Sequence, residues 1–201
     1  MNSFTLTSIP GELTWKNEPV FTQTNTGDSL DITAGPVSDW FHNPGSSFVM
    51  NNAPVALFSP SGGEFLLSAK VIVEFKYTYD AGVLFLYVND DTWAKLCFEY
   101  SPQNEAMVVS VVTRGRSDDC NSVVIGSHTV YLRVCRQGNA IAFHYSTDGQ
   151  YWRFVRYFTI GDLSNLKVGF AAQSPVGKGC PVHFSEIGFR HESLTDLRNG
   201  T

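Results

Sequence analysis

Short apolar segments recur along the whole chain, and glycine, proline or short polar stretches separate them. Some segments alternate apolar and polar residues with a period of two, as half-buried β-strands do, and others are continuous apolar runs. No window shows the 3.6-residue periodicity of an amphipathic helix. The pattern predicts strands at Phe4–Ile9, Leu13–Trp15, Ser29–Ala34, Ala53–Ser59, Glu64–Thr78, Ala81–Val88, Thr92–Tyr100, Met107–Arg114, Ser122–Gly126, Thr129–Arg136, Ala140–Ser146, Tyr151–Thr159, Leu166–Ala172 and Val182–Arg190.

Turn signals separate these segments. Asp148-Gly149 is typical of a type I′ hairpin turn, and Thr26-Gly27-Asp28 is a second turn signal. Val37–Asn52 has little periodicity but is rich in aromatic residues, so we expect an ordered loop laid against a sheet, whereas Gly115–Asn121 reads as a polar loop. Many short strands with regularly spaced turns predict an all-β fold, a two-sheet antiparallel β-sandwich or jelly roll. We expect a single domain over residues 1–201, with a polar C-terminal tail from about residue 191.

The strand Thr92–Tyr100 carries the most informative pattern. Its alternation places Trp93, Lys95, Cys97 and Glu99 on one face and the remaining, mostly apolar, residues on the other. An apolar core has no need of an ammonium and a carboxylate on the same face. A sugar, by contrast, offers apolar C–H faces for aromatic rings and hydroxyls for charged groups. This face is therefore a candidate binding groove, and the alternative is an indole packed on the sheet beside a surface ion pair.

Two further candidates lie in the irregular segment before residue 52. Asp39 and Trp40 stand where binding residues tend to gather, and the equally weighted alternative is a tryptophan that plugs the sandwich edge. Arg114, or its neighbour Thr113, reaches the groove if the strand register allows it. His144 is a polar position in an apolar strand, and a structural histidine is the favoured interpretation there.

Asp118, together with Asp119, completes the set of candidates. Carboxylate oxygens suit Ca²⁺, but the chain has no calcium-loop pattern, so a solvated loop is favoured. The four cysteines form no zinc-ligand spacing. We also find no phosphate-binding loop, nucleophile elbow or dinucleotide fingerprint, so the sequence predicts neither a metal nor a cofactor.

Charge and composition disfavour some classes of binding partner. The chain has 201 residues, of which 16% are charged, and a net charge of -5. This balance disfavours non-specific binding to nucleic acid or to an anionic membrane surface, both of which need clustered lysine and arginine. The N-terminus has no export signal and no window is long and apolar enough to span a membrane, so we expect a cytoplasmic protein.

Four clusters, taken in order, resemble an uncharacterised concanavalin-A-like lectin/glucanase family that includes the yeast regulation-of-enolase protein and bacterial relatives. The resemblance rests on Ser38-Asp39-Trp40-Phe41, Ala81-Gly82 followed by Asp90–Lys95 and Glu99, Ser110–Arg114 with Ser117-Asp118, and Ser146–Gly149 with Trp152. It covers roughly residues 10–190 and implies a lectin-like sandwich with a carbohydrate-related role. Tyr79-Asp80 and Asp119 stand where the family often has other residues, which leaves the choice of ligand open.

These observations lead to three hypotheses of function. The leading one is a non-catalytic protein that binds a saccharide or a related polyol in the polar-aromatic groove. The second is a regulatory protein that docks a metabolic enzyme as its protein partner, as the resemblance suggests. The third is a glycoside hydrolase, which needs two carboxyl groups roughly 5–10 Å apart. Because Glu99 is the single acidic residue of its strand, we expect no catalysis.

Overall fold

The computed structural model of the protein describes residues 3–25 and 28–201, which form seventeen strands and no α-helix. Thr26 and Gly27 of the predicted turn lie outside the described residues. In chain order the strands are β1 (Ser3–Thr5), β2 (Glu12–Lys16), β3 (Phe21–Asn25), β4 (Ser29–Ala34), β5 (Trp40–His42), β6 (Val49–Asn51), β7 (Val55–Phe58), β8 (Glu64–Val73), β9 (Ala81–Asn89), β10 (Thr92–Tyr100), β11 (Ala106–Arg114), β12 (Arg116–Val124), β13 (Thr129–Gln137), β14 (Ala140–Ser146), β15 (Arg153–Phe158), β16 (Lys167–Gln173) and β17 (Cys180–Arg190).

Two large antiparallel sheets form a β-sandwich, which confirms the predicted fold class. The first sheet has eight strands in the order β1-β2-β7-β16-β9-β10-β11-β12, and the second has seven in the order β15-β14-β13-β8-β17-β4-β3. A separate hairpin of β5 and β6 makes a third, two-stranded sheet. No helix among the described residues has the length and apolar character needed to cross a membrane.

Alternation along the strands sorts side chains into three apolar clusters. The largest fills the space between the two sheets and contains Ala94, Leu96 and Phe98 of β10. A second cluster lies on the other face of the eight-stranded sheet and contains Trp93 and Cys97. The third, smaller cluster lies beneath the C-terminal tail on the seven-stranded sheet. The eight-stranded sheet is therefore buried on both faces at β10, which is why its neighbour β9 is a continuous apolar run.

Gly82 of β9 sits where the two sheets approach each other closely. A Cβ atom at this position would lie 2.6 Å from Cγ1 of both Val71 and Val182, which belong to the opposite sheet. Because glycine has no Cβ atom, the two sheets can pack this closely at Gly82, which lies beside the end of β10 that carries Glu99.

The strands at Phe4–Ile9 and Glu64–Thr78 are shorter than predicted, at Ser3–Thr5 and Glu64–Val73, and three other segments differ for a physical reason. Residues 115–121 were predicted as a loop, but most of them belong to β12, an edge strand whose exposed side chains leave no apolar alternation to detect. The exposed strand β3 escaped prediction in the same way. The predicted loop Val37–Asn52 contains the hairpin β5–β6, with strands of three residues that are too short to show a period.

Candidate functional site

The predicted polar face of β10 points away from the main core, as the alternation of the strand requires. Lys95 pairs with Phe85 of β9 on one side and with Val111 of β11 on the other. Glu99 lies four residues further along the same face, opposite Ala81 of β9. Both polar side chains are buried, with relative exposures of 2% for Lys95 and 9% for Glu99.

A cleft of about 290 Å³ opens over this part of the sheet. Lys95, Glu99, Val111 and Gln173 contribute to it from the eight-stranded sheet, and Asp119 contributes from the edge strand β12. The segment around β5 and β6 and two loops provide the remaining lining residues, which are Asp39, Phe41, Phe48, Met50, Tyr79, Pro175 and Val176.

Lys95 organises the polar part of the cleft. Its Nζ donates hydrogen bonds to Asp39 Oδ1 at 2.9 Å and to Gln173 Oε1 at 2.8 Å. Burial by itself lowers the pKa of a lysine, but the nearby acidic groups, led by Asp39, outweigh this effect and raise the pKa of Lys95 above its ordinary value. Lys95 is therefore a fixed ammonium that ties the segment before β5 to the end of β16.

Gln173 connects this ion pair to Glu99. Its Nε2 donates to the Tyr79 carbonyl at 3.1 Å and makes a longer contact of 3.4 Å with Glu99 Oε2. Gln173 and Glu99 lie in the same row of the sheet, with Ala81 of β9 between them. The small alanine side chain leaves the space across which the glutamine reaches Glu99.

Glu99 is held in its neutral form near neutral pH. Burial raises the pKa of its carboxyl group to about 8, although Lys95 opposes the shift and Asp119 and Asp39 add to it. Burial is also the largest cause that raises the pKa of Asp119, with Asp39 and Asp118 adding to the shift and Lys95 opposing it. A neutral carboxyl group can both donate and accept a hydrogen bond, so Glu99 offers the cleft a more versatile partner than a carboxylate does.

The two predicted stacking residues, Trp93 and Trp40, are buried behind the cleft and do not line it. Their relative exposures are 0% and 1%. The indoles meet edge to face with centroids 5.8 Å apart, and Trp93 also stacks on Phe85 at 5.6 Å. Trp40 Nε1 donates to the Ala53 carbonyl at 2.9 Å. The structure therefore corrects the expectation of exposed stacking indoles, because the hairpin β5–β6 covers this end of β10.

The other three candidate ligand-binding residues, Arg114, Asp118 and His144, lie outside the cleft. Arg114 is opposite Thr92, on the alternation that faces the main core, and its side chain is exposed at the strand end. Asp118 is opposite Val112, on the face turned toward the other sheet, and its carboxylate forms a salt bridge with Arg156 of β15 at 3.0 Å.

His144 belongs to the other sheet. Its Nε2 lies 2.6 Å from the Leu197 carbonyl of the C-terminal tail, and the side chain is fully buried. Burial lowers the pKa of His144 to about 4, so it stays neutral at physiological pH. This environment is that of a structural histidine, the interpretation that the sequence favoured.

Of the eight predicted residues, the structure brings Asp39, Lys95 and Glu99 together. It adds Asp119, which follows the predicted Asp118 and projects from the opposite face of β12. It also adds aromatic residues at the cleft mouth, where Phe48 is 51% exposed and Tyr79 is 40% exposed. The signal for Phe48 was present in the aromatic content of the segment Val37–Asn52, which was predicted to lie against the sheet.

Hydrogen-bonding chemistry fits this arrangement. Within residues 3–25 and 28–201, no group of three or more histidine, cysteine, aspartate or glutamate side chains is placed to hold a metal ion. The cleft combines donors and acceptors that are fixed by burial with partly exposed aromatic rings at its mouth. Such a combination suits a small ligand that is rich in hydroxyl groups and has an apolar face.

Comparisons with known proteins place the chain among proteins of this fold. The model of a family described as "protein of unknown function (DUF1349)" matches residues 15–192. No curated protein gives a significant match. A functionally unknown protein from Saccharomyces cerevisiae is 24% identical, with a TM-score of 0.81 over 90% of this chain and 97% of that one. The more specific resemblance to the regulation-of-enolase protein stays a prediction.

Carbohydrate-active proteins also share the fold. The GH43 protein BlXynB from Bacillus licheniformis is 14% identical, with a TM-score of 0.67 over 82% of this chain and 33% of that one. This chain therefore spans about a third of that protein's length. An alginate lyase from Klebsiella pneumoniae is 12% identical, with a TM-score of 0.56 over 86% of this chain and 84% of that one. These identities show a shared fold and nothing further.

Proposed function

The chain belongs to the DUF1349 family of proteins of unknown function, and we propose that its cleft binds a saccharide or a related polyol. The observation that carries this proposal is the grouping of Lys95, Glu99 and Gln173 beside the aromatic rings of Phe48 and Tyr79. The buried polar groups would bond sugar hydroxyls, and the rings would contact a sugar's C–H face.

The fixed geometry of the polar groups supports recognition of a hydroxyl-rich ligand. Lys95 and Gln173 are held by the hydrogen bonds described above, so ligand binding requires little further ordering of these long side chains. The cleft lies close to the lower end of the usual range of ligand pockets, roughly 300–1,000 Å³. We therefore expect it to enclose a small part of a glycan, with the remainder of the glycan lying outside.

A glycan array tests the proposal. The wild-type protein is compared with Phe48→Ala, which removes an exposed ring at the mouth, and with Glu99→Gln, which keeps the shape of the carboxyl side chain. We expect wild-type binding to a restricted set of glycans and weaker binding by both variants. The exposed Glu64, on the other sheet, provides the matched control Glu64→Gln, which should bind as the wild type does. Failure of the wild-type protein to bind any glycan would refute the proposal.

One observation favours hydrolysis as a second candidate function. Glu99, with its pKa raised to about 8, is protonated at neutral pH as a general acid must be, and Asp119 lines the same cleft. Incubation of the protein with its array ligands, followed by an assay for new reducing ends, distinguishes the two functions. Turnover that disappears in both Glu99→Gln and Asp119→Asn would establish a hydrolase, whereas binding without turnover supports the first proposal.

A further inference from the structure

The cleft is lined by more acidic than basic side chains, and this imbalance restricts the charge of its ligand. Asp39, Glu99 and Asp119 line it with acidic side chains, whereas Lys95 is the one cation among the described lining residues. Lys95 and Asp39 form a buried ion pair, with side-chain exposures of 3% and 13%. Two acidic groups, Glu99 and Asp119, are left without a cationic partner in the cleft.

Lys95 is poorly placed to receive an anionic ligand. Two of its three N–H groups already donate to Asp39 and Gln173. A carboxylate or sulfate on a sugar would compete with Asp39 for the ammonium and would face Asp119 without a counter-ion. The net charge of -5 adds a weaker, long-range repulsion of anions.

Glu99, in contrast, has unused capacity to accept hydrogen bonds. Within the described part of the chain its carboxyl group has a single side-chain hydrogen bond, the long contact of 3.4 Å from Gln173. The side chain is nine-tenths buried and lines the cleft. A buried carboxyl group that lacks strong partners is a site at which a donor from the ligand would be stabilised.

We propose that the saccharide bound by the cleft carries an amino group, which as an ammonium is held by Glu99 and Asp119. This inference rests on the proposed function and specifies its ligand class. Binding ionises Glu99, because the carboxylate is stabilised by the incoming ammonium, and the released proton passes to solvent. Neutral sugars bind more weakly, and sugars that carry a carboxylate bind more weakly still.

The titratable groups around Glu99 set the pH at which its carboxyl group ionises. Lys95 and Cys97 lie on its own strand, Asp39 precedes β5, Asp119 lies on β12, and Tyr79 comes from the loop before β9. Lys95 favours the carboxylate form of Glu99, whereas burial and the other two acidic side chains oppose it. An ammonium ligand adds a second cation and shifts the balance toward the carboxylate.

The test uses sugars that differ in a single substituent. Methyl glycosides of glucose, galactose and mannose are each titrated as the parent 6-hydroxyl compound, the 6-amino compound and the 6-carboxylate, with NMR detection of binding. In a series that binds, we expect the amino compound to bind roughly tenfold more tightly than the parent, as one charge-assisted hydrogen bond allows, and the carboxylate more weakly than either.

The pH profile provides a second readout. The 6-amino group stays mostly charged between pH 6 and pH 8, because an ordinary primary amine such as lysine has a pKa of about 10.4 and the sugar oxygens lower this value only part of the way toward that range. With a pKa of about 8, the ionised fraction of Glu99 rises over this range from roughly 1% to one half, so affinity for the amino sugar should rise by up to about 50-fold. The Glu99→Gln variant should lose both the rise and the amino preference, whereas Glu64→Gln should keep them.

The outcomes separate this inference from the proposed function. Equal or tighter binding of the parent or the carboxylate compound would overturn the amino preference and leave saccharide binding intact. Binding on the glycan array to neutral glycans alone would have the same meaning. No binding to any of the nine glycosides or to the array would refute both proposals.

Discussion

The Glu99→Gln variant should make the protein's stability less sensitive to pH. In the unfolded chain the Glu99 carboxyl group ionises with an ordinary pKa of 4.5, whereas in the folded protein burial raises its pKa to about 8. Between these two values the folded state binds more protons than the unfolded state, so the free energy of unfolding decreases as the pH rises. The stabilising contribution is complete below pH 4.5 and is lost as the pH rises toward 8.

The size of the effect follows from the difference between the two pKa values. At about 1.36 kcal/mol for each pKa unit, a shift from 4.5 to about 8 is worth about 5 kcal/mol in total. Between pH 5 and pH 8, the two values imply that wild type should lose roughly 3.5 kcal/mol relative to Glu99→Gln. Glutamine keeps the size of the side chain and cannot ionise, so the difference between the two proteins isolates this carboxyl group.

Urea unfolding at pH 5, 6, 7 and 8 measures this difference. The free energy of unfolding of Glu99→Gln should improve steadily relative to wild type as the pH rises. The control is Glu64→Gln, which makes the same substitution at an exposed position on the other sheet. A wild-type-to-variant difference that changes by less than about 1 kcal/mol, or that changes in the opposite direction, would show that Glu99 is not the buried neutral acid described above.

Three further predictions test other parts of the structure. Lys95→Met should cost about 3–5 kcal/mol of unfolding free energy, because it leaves Asp39 without its partner, and the double variant with Asp39→Asn should cost less than the sum of the single changes in a double-mutant cycle. Because the folded-state pKa of His144 is lowered to about 4, stability that is present above pH 6.5 should fall by about 1.4 kcal/mol per pH unit as the pH drops from 6.5 toward 4, and equal slopes in wild type and His144→Phe would contradict this. Trp93→Ala should cost about 3–5 kcal/mol in urea unfolding because it empties a fully buried site, whereas Phe48→Ala should change stability by less than about 0.5 kcal/mol and still weaken glycan binding; the reverse pattern would return Trp93 to the cleft.

The fold was predictable because the inner strands show either a clear apolar–polar alternation or a continuous apolar run. The alternation in Thr92–Tyr100 assigned Lys95 and Glu99 to one face and Leu96 to the other, as the structure shows. Strands at exposed edges gave no such signal. The edge strand β12 is rich in charged and polar residues, which disfavour pairing with the edge of another sheet and leave no apolar–polar alternation to detect.

The site was predictable in part. The sequence shows which residues share a face of a strand, but it does not show which other part of the chain packs on that face. Trp93 is buried by the hairpin β5–β6, which lies about fifty residues earlier in the chain. Neighbouring residues of a strand point to opposite faces of the sheet, so a shift of one residue in the register of β12 decides whether Asp118 or Asp119 faces the cleft. The sequence alone does not give this register. Tyr79 contributes from a loop, where no periodicity operates.

The cleft-binding proposal is tested most directly by an NMR titration of the Gln173 side-chain amide with the glycan that gives the strongest array signal. This amide donates to Tyr79 and Glu99 inside the cleft, whereas the amide of the exposed Gln150 lies in the hairpin turn between β14 and β15 and serves as an internal reference. We predict saturable shifts of the Gln173 signals with little change at Gln150. Saturable binding that leaves Gln173 unmoved would contradict the assignment of the cleft as the binding site.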